Sequence, residues 1–405
     1  MLGIGRYFVL TILLSLPSFG VTSAGIQGKT TYVVFMRIDE KTVQDHVPEA
    51  TIEAFDLSPD GKTVALILGS KNPINGSTWI AVVDQSKDFK KIRLGAINPC
   101  SQGYAPTITY NSDGATLIVT DCAKVRIFEA SSLREVRSIE SSTKNFTVPI
   151  QALAAANGNT TAITFGNGAP VGNYMDVLPV KVEVVDTSTG KRLASLSADD
   201  VPFSLSPDGK QLSLTDRSEP HALLGIKIIE VSDGRRISST KGKFGFPKNT
   251  KPTSPISRLM GYFIGDSEIV LMPDGNRDQQ GNTAGDFCEI VSAIDGNEVQ
   301  TLEPKHFGAT GLIATANRGG RFMAISREVS SKDLRHHLAL PPSALSEWIA
   351  FVTEPSLKVS DRGPLAGLVS LRTRSIYDSS VLRLSADGHV FAVADSYGVT
   401  VFAQP

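Results

Sequence analysis

Apolar and polar residues alternate along this chain in short segments, and the segments come in pairs that flank a tight turn. The clearest pair surrounds the tetrapeptide Ser-Pro-Asp-Gly at 58–61, and an almost identical run returns at 206–209. Alternation with a period of two is typical of β-strands with one buried face. Proline favours the first turn position, aspartate suits the second, and glycine takes the position with positive φ. Each run therefore predicts a β-hairpin, and the chain repeats this unit.

Similar turns recur along the whole chain, at the residue pairs 60–61, 113–114, 157–158, 208–209, 266–267, 319–320 and 387–388. The intervals between them range from 44 to 68 residues, which is enough for four strands and variable loops. The second half of several units also repeats, because an apolar strand and a polar turn at 184–191 return at 229–235 and 290–298. The sequence predicts an all-β fold, a seven-bladed β-propeller of four-stranded antiparallel blades.

The last unit contains one strand fewer than the others. The segment 31–37, which precedes the first unit, has the composition of a strand but no partner of its own. Pairing the two would complete the last blade and remove the open edges of the ring. We therefore predict that an N-terminal strand closes the ring.

The Ser-Pro-Asp-Gly-Lys hairpins at 58–62 and 206–210 resemble those of the WD40-like propeller repeats of exported bacterial proteins, including the Tol-associated and surface-layer (YVTN) types. The resemblance covers essentially all of the chain after the N-terminal segment. It implies a propeller that binds a protein or another ligand or, in a minority of such proteins, hydrolyses a lactone.

The N-terminal residues carry one arginine, Arg6, followed by an apolar run at 7–16, a Pro-Ser break and small residues up to Ala24. This order is typical of a cleaved export signal. We expect a signal peptide at 1–24 and a single propeller domain at 25–405. The apolar run is shorter than the roughly 20 residues that span a bilayer, so we expect a periplasmic or secreted protein without membrane insertion.

Composition narrows the range of partners. The chain is 41% hydrophobic and 20% charged, as in an ordinary folded domain, and its formal net charge is -1. Removal of Arg6 with the signal makes the charge -2. Since no strong positive field attracts polyanions, nucleic acid is not expected as a partner.

The three cysteines permit at most one internal disulfide in an exported chain. A hairpin turn at 111–115 would place Cys122 opposite Tyr104, four residues after Cys100. A turn between them could bring the two cysteines to the Cα separation of about 5.5 Å that a disulfide needs. We predict a disulfide between Cys100 and Cys122, with two free thiols as the alternative, and an unpaired Cys288.

Connections between second and third strands are long in several units and are expected to emerge on one face: 166–176, 217–224, 273–286 and 328–346, together with the link 241–254. Loops on rigid scaffolds often carry binding sites, although neutral drift also lengthens loops. This face is the candidate binding surface. Its candidate residues are Arg335, His336, His337, Lys243 and Lys248, for which a solvated loop is the alternative interpretation.

One of these connections carries oxygen ligands at alternate positions, Asp274, Asn276 and Asp278, and Asp286 follows further on. This spacing allows a loop to wrap a hard cation such as calcium. The match is partial, because Gln279 occupies the place of the glycine in an EF-type loop. The four residues form a candidate calcium site, and a polar turn without metal is the favoured interpretation.

No catalytic motif is present: the sequence lacks a G-x-S-x-G elbow, a phosphate-binding loop, an H-E-x-x-H pair and a C-x-x-C pair. We therefore predict no catalytic residue and no cofactor other than the candidate calcium. The expected function is that of an exported, non-enzymatic scaffold that binds a protein, peptide or glycan on its long-loop face. The alternative is a hydrolase or lactonase that acts in the central channel.

Overall fold

The computed structural model describes residues 32–70, 77–96, 106–121, 124–141, 147–171, 174–197, 202–216, 225–241, 259–273, 288–302, 310–316, 322–328, 347–353, 359–364, 382–395 and 398–404. Their elements, in chain order, are β1 (Val33–Asp39), α1 (Glu40–His46), β2 (Ala50–Leu57), β3 (Thr63–Ser70), β4 (Ser77–Asp84), β5 (Phe89–Ala96), β6 (Thr107–Tyr110), β7 (Thr116–Asp121), β8 (Lys124–Glu129), β9 (Glu135–Ile139), β10 (Thr147–Ala154), β11 (Thr160–Val171), β12 (Tyr174–Asp186), β13 (Arg192–Ser197), β14 (Ser204–Leu205), β15 (Gln211–Thr215), β16 (Gly225–Glu230), β17 (Arg236–Lys241), β18 (Leu259–Phe263), β19 (Glu268–Pro273), β20 (Cys288–Ser292), β21 (Glu298–Leu302), β22 (Thr310–Ala316), β23 (Phe322–Glu328), β24 (Glu347–Thr353), β25 (Val359–Pro364), β26 (Leu382–Leu384), β27 (Val390–Asp395) and β28 (Gly398–Ala403).

Within the described residues, these strands form seven four-stranded antiparallel sheets. Six of the sheets are consecutive runs of the chain, β2–β5, β6–β9, β10–β13, β14–β17, β18–β21 and β22–β25, and the remaining sheet has the order β1-β28-β27-β26. The predicted all-β architecture of four-stranded units is confirmed.

The N-terminal strand has the partner that the sequence predicts. β1 pairs with β28 from Val33↔Ala403 to Asp39↔Gly398, with one bulge. The side chain of Tyr32 is fully buried and meets the ring of Phe391 edge-on at 5.1 Å between centroids. Met36 and Ile38 are buried in the core between the last sheet and the first. The first and last strands of the chain therefore belong to one sheet.

Neighbouring sheets contact one another through their first strands. These contacts join β2 to β6, β6 to β10, β10 to β14, β14 to β18, β18 to β22 and β22 to β26, and β26 in turn contacts β2. The hydrophobic cores lie between adjacent sheets: one core, for example, combines Ala65 and Ile67 of β3 with Leu117 and Val119 of β7. This is how the blades of a β-propeller pack.

The repeated turns have one geometry. In the first, Ser58 donates its hydroxyl to Asp60 at 2.7 Å and accepts from the backbone N–H of Thr63 at 2.9 Å, and Gly61 has φ +72°. The same serine-to-aspartate bond recurs at 2.8 Å from Ser206 and at 2.6 Å from Ser385. The serine before the Pro-Asp-Gly or Ala-Asp-Gly turn therefore ties the loop to the start of the next strand.

The turns also form hydrogen bonds with the neighbouring sheet. The N–H of Ala386 donates to the carbonyl of Pro59 at 2.8 Å, and the side-chain amides of Asn111 and Asn157 donate to the carbonyls of Gly158 at 2.8 Å and Asp208 at 2.7 Å. A Cβ on Gly209 would lie 2.7 Å from the Cβ of Thr160. Glycine is needed at that place both for its φ of +78° and for this close approach.

Two expectations need correction. The hairpin β6–β7 pairs Thr107 with Thr120, whereas the turn at 111–115 would pair Thr107 with Val119. The turn is one residue longer, because the N–H of Asn111 donates to the carbonyl of Thr116. The register from which Cys122 was predicted to lie opposite Tyr104 is therefore wrong by one residue, although both residues lie outside the described part of the chain.

Residues 166–176 were expected to form a loop between the second and third strands of their unit. Most of this segment is strand: β11 and β12 stay paired as far as Val171↔Tyr174. The segment contains Gly166, Gly168 and Pro170, which are weak strand formers, but cross-strand pairing overrides local propensity here.

Candidate functional site

Most residues singled out from the sequence lie outside the described part of the structure. This applies to the signal segment 1–24, to the disulfide candidates Cys100 and Cys122, and to all of the following: Asp274, Asn276, Asp278, Asp286, Arg335, His336, His337, Lys243 and Lys248. These assignments stay predictions. The structure does place Cys288, whose backbone opens β20 opposite Leu302.

On the face where second and third strands connect, β11 and β12 run past the other strands of their sheet. Among the described residues, β10 pairs with β11 up to Asn167, and β13 pairs with β12 from Lys181 onward. Residues 168–171 and 174–177 pair with each other and form a two-stranded extension, called here the β-ribbon. A two-stranded ribbon offers rows of backbone donors and acceptors on both outer edges.

Asp56 connects three sheets at the first strands. The residue is 5% exposed. One carboxylate oxygen accepts the N–H of Tyr110 at 2.7 Å and the hydroxyl of Thr109 at 3.1 Å, and the other lies 3.0 Å from Nε of Arg383. The Arg383 guanidinium also lies over the ring of Phe55, 5.8 Å from its centroid. The sheets that begin with β26, β2 and β6 are thus joined by one carboxylate.

A polar groove of about 390 Å³ lies between the fourth strand of the β6–β9 sheet and the β12–β13 hairpin. Arg137 of β9 reaches across it: a Cβ placed on Gly190 would lie 2.9 Å from Cδ of Arg137 and 3.4 Å from its Nη1. Gly190 has φ +71° in the β12–β13 turn. Glycine at this position therefore leaves room for the arginine as well as closing the turn.

On the β12–β13 side of the groove, Glu183 is 1% exposed and carries two cationic partners. Nζ of Lys181 lies 2.6 Å from one carboxylate oxygen, and Nε of Arg192 donates to the other at 3.2 Å. A buried carboxylate requires such compensation, because desolvation of an unpaired charge is costly. The pair of cations therefore balances Glu183 within the sheet.

The turn beside the groove is held by Asp186. One of its carboxylate oxygens accepts from the hydroxyl of Ser188, from the N–H of Thr189 and from the hydroxyl of Thr189, each at 2.7 Å. These hydrogen bonds, that from Ser188 first, hold the pKa of Asp186 below its ordinary value of 3.8. The charged carboxylate is the form that stabilises the turn.

This lowered pKa predicts a pH-dependent effect of Asp186→Ala. At neutral pH the variant should lose about 1 kcal/mol of unfolding free energy, since net hydrogen bonds contribute about that much. Because the folded pKa is below the unfolded one, this stabilisation is present above pH 3.8 and is lost as the pH falls through the folded pKa. Urea unfolding at neutral and acid pH should show the two proteins converge in acid. The exposed Asp45→Ala control should show no comparable convergence, and a difference that stays constant would contradict the prediction.

The sequence did not reveal the groove, because Arg137 and Gly190 belong to different sheets. The available signal was the repeated polar turn at 184–191, which contains Gly190, but this pattern did not indicate which side chain would pack on the glycine. In the described part of the chain, no cluster of three or more His, Cys, Asp or Glu side chains could hold a metal. No helix there is long and apolar enough to cross a membrane.

Comparison with known proteins identifies the fold of this chain. No protein-family model and no curated protein matches the sequence. Among solved structures, a WD40 β-propeller chain from the crystal structure of the mitotic checkpoint complex is similar over 98% of this chain and 99% of its own, with a TM-score of 0.50 and 13% identity. Dihydro-heme d1 dehydrogenase NirN, in complex with DHE, matches over 86% of this chain and 63% of its own, with a TM-score of 0.45 and 16% identity. Together with the four-stranded sheets, the first likeness shows a β-propeller fold.

Proposed function

We propose that this protein is an exported, non-enzymatic β-propeller that binds a protein or peptide partner on the face carrying the β-ribbon, with a glycan as the alternative ligand. The ring would have seven blades and be closed by β1. Seven described sheets, the pairing of β1 with β28 and the contact between β26 and β2 support this arrangement. Export rests on the N-terminal segment, and a channel-centred hydrolase or lactonase is the alternative from the sequence.

The β-ribbon is the observation that carries the binding proposal. Its two strands extend toward the same face as the ends of β15, β19 and β23, since successive antiparallel strands alternate in direction. Exposed strand edges bind partner chains by adding a strand to the sheet. The structural likeness to a propeller chain from a protein assembly is compatible with this role.

Site-specific photo-crosslinking tests the proposal. Benzoylphenylalanine replaces Tyr174 at the tip of the β-ribbon, and in a control it replaces Ile294, which is 64% exposed on a turn at the opposite end of the strands. After irradiation in the native cells, the ribbon position should give a discrete adduct with one partner in the exported fraction. The control position should not give this adduct.

Equal adducts from both positions, or none from the ribbon, would contradict the proposed binding face. An adduct only in the cytoplasmic fraction would contradict export. Mass spectrometry of the adduct identifies the partner and so separates a protein or peptide from the glycan alternative.

A further inference from the structure

We propose that the groove between the β6–β9 sheet and the β12–β13 hairpin binds a carboxylate-bearing peptide through Arg137. The observation is the position of this arginine, whose guanidinium lies in a polar cavity without an acceptor for one of its nitrogens. The inference goes beyond the proposed function, because the groove is a different surface from the β-ribbon. Each can fail without the other.

Among the described charged residues that line the groove, Arg137 is the one with a buried polar atom that lacks a hydrogen bond. Its Nη1 atom is fully buried and has no hydrogen-bond partner among the described residues. A buried donor of this kind costs free energy until an acceptor reaches it. The ionic partners of Lys181 and Arg192 are already provided by Glu183, so among the described residues Arg137 is the cation of the groove that has no acid partner.

Charge and shape favour a carboxylate. The planar guanidinium matches a carboxylate with two parallel hydrogen bonds. The acid groups that line the groove are Glu183, which two cations neutralise, and Glu140, which is exposed at the rim. The cavity of about 390 Å³ is large enough for an acidic side chain with part of its neighbours.

The groove wall favours a peptide as the source of the carboxylate. Four consecutive residues, from Arg137 to Glu140, line the cavity, so the strand itself forms one wall. β9 is the last strand of its sheet, and an edge strand leaves one row of backbone groups for an extended partner. Exposed apolar side chains, Val136 and Leu193, belong to the strands on either side of the groove. These features fit an extended segment with a single acidic residue between apolar ones.

Nuclear magnetic resonance titration of the whole chain tests the inference. The probes are the capped pentapeptide acetyl-Ala-Val-Glu-Val-Ala-amide, its glutamine counterpart and succinate, and the readouts are the amide resonances of Ser138 and Gly190. The glutamate peptide should shift both resonances saturably and bind about tenfold more tightly than the glutamine peptide, as expected for one charge-assisted hydrogen-bonded pair.

Arg137→Gln should abolish that preference, while Arg134→Gln should leave it unchanged. Glutamine retains the stem as far as Cδ, which contacts Gly190, and Arg134 is an exposed residue just before the same strand. If Arg137→Gln does not fold, the difference in affinity between the glutamate and glutamine peptides on the unaltered protein still tests whether the groove prefers a carboxylate. No saturable shift, equal binding of the two peptides, or an unchanged preference in folded Arg137→Gln would overturn the proposal. Tighter binding of succinate than of the glutamate peptide would overturn the assignment to a peptide.

Discussion

Deletion of residues 1–37 is expected to lower the unfolding free energy by at least about 4 kcal/mol. The truncation removes the buried side chains of Tyr32 and Met36, each worth about 2 kcal/mol of apolar burial. It also removes the pairing of β1 with β28 from Val33 to Arg37 and opens the edge of the last sheet. For a chain of this size the melting temperature should fall by roughly 5 °C or more. Differential scanning calorimetry measures the change.

The matched control is deletion of residues 1–31, which leaves β1 and Tyr32 intact. This shorter deletion should melt within about 2 °C of the full chain. The account is wrong about the N-terminal strand if both deletions melt alike.

Replacement of Asp56 by alanine is the second change with a large expected effect. It removes the acceptor for the N–H of Tyr110 and the partner of Arg383, and both are then left in a poorly hydrated junction of three sheets. Breaking a buried ion pair by removing one partner typically costs about 3–5 kcal/mol. We expect a loss in that range in urea unfolding monitored by circular dichroism.

One variant controls for the loss of a carboxylate alone, and a double variant tests whether Asp56 and Arg383 stabilise the junction together. Asp88→Ala removes an exposed aspartate whose carboxylate lies 3.9 Å from Nζ of Lys90, and it should cost about 1 kcal/mol or less. In the double variant Asp56→Ala with Arg383→Ala, the loss should be less than additive, because the guanidinium that would be left without the Asp56 carboxylate is also removed. An additive loss would show that the two groups do not stabilise the junction together.

The repeating hairpins could be predicted because each depends on local chemistry. A serine, an aspartate and a glycine at fixed positions close the turns at Gly61, Gly209 and Gly388, all with φ between +72° and +79°. The unpaired apolar segment before the first unit indicated the partner of the last sheet for a related reason: a sheet with one strand missing leaves an edge that must be covered.

Register and extension depend on contacts across the sheet, and here prediction from sequence failed. The turn after Tyr110 is one residue longer than expected, since Asn111 bonds to Thr116 and also reaches Gly158 in the next sheet. The segment 166–176, which contains most of the β-ribbon, was predicted to be a loop, and its Gly166, Gly168 and Pro170 are weak strand formers. The two strands of the β-ribbon form because they pair with each other, and local propensity does not reflect such pairing.

The polar sites were missed for the same physical reason. Asp56 lies in an apolar strand, and its partners Tyr110 and Arg383 are distant in sequence. Likewise, nothing near Arg137 indicates that Gly190 of the next sheet makes room for it. In a propeller such sites form between repeats, whereas the sequence pattern describes each repeat by itself.

The most direct test of the central claim, a propeller whose first and last strands share one sheet, is an engineered disulfide between them. Val33 and Ala403 are directly paired, and residues opposite one another in antiparallel strands are about 4.5–5.5 Å apart at Cα, within the range of a disulfide. Cysteines at both positions should therefore oxidise in the folded protein, give a single cross-linked peptide that joins the two termini in mass spectrometry, and raise the melting temperature relative to the reduced form. Free thiols at both positions in the folded, oxidised protein would contradict the account.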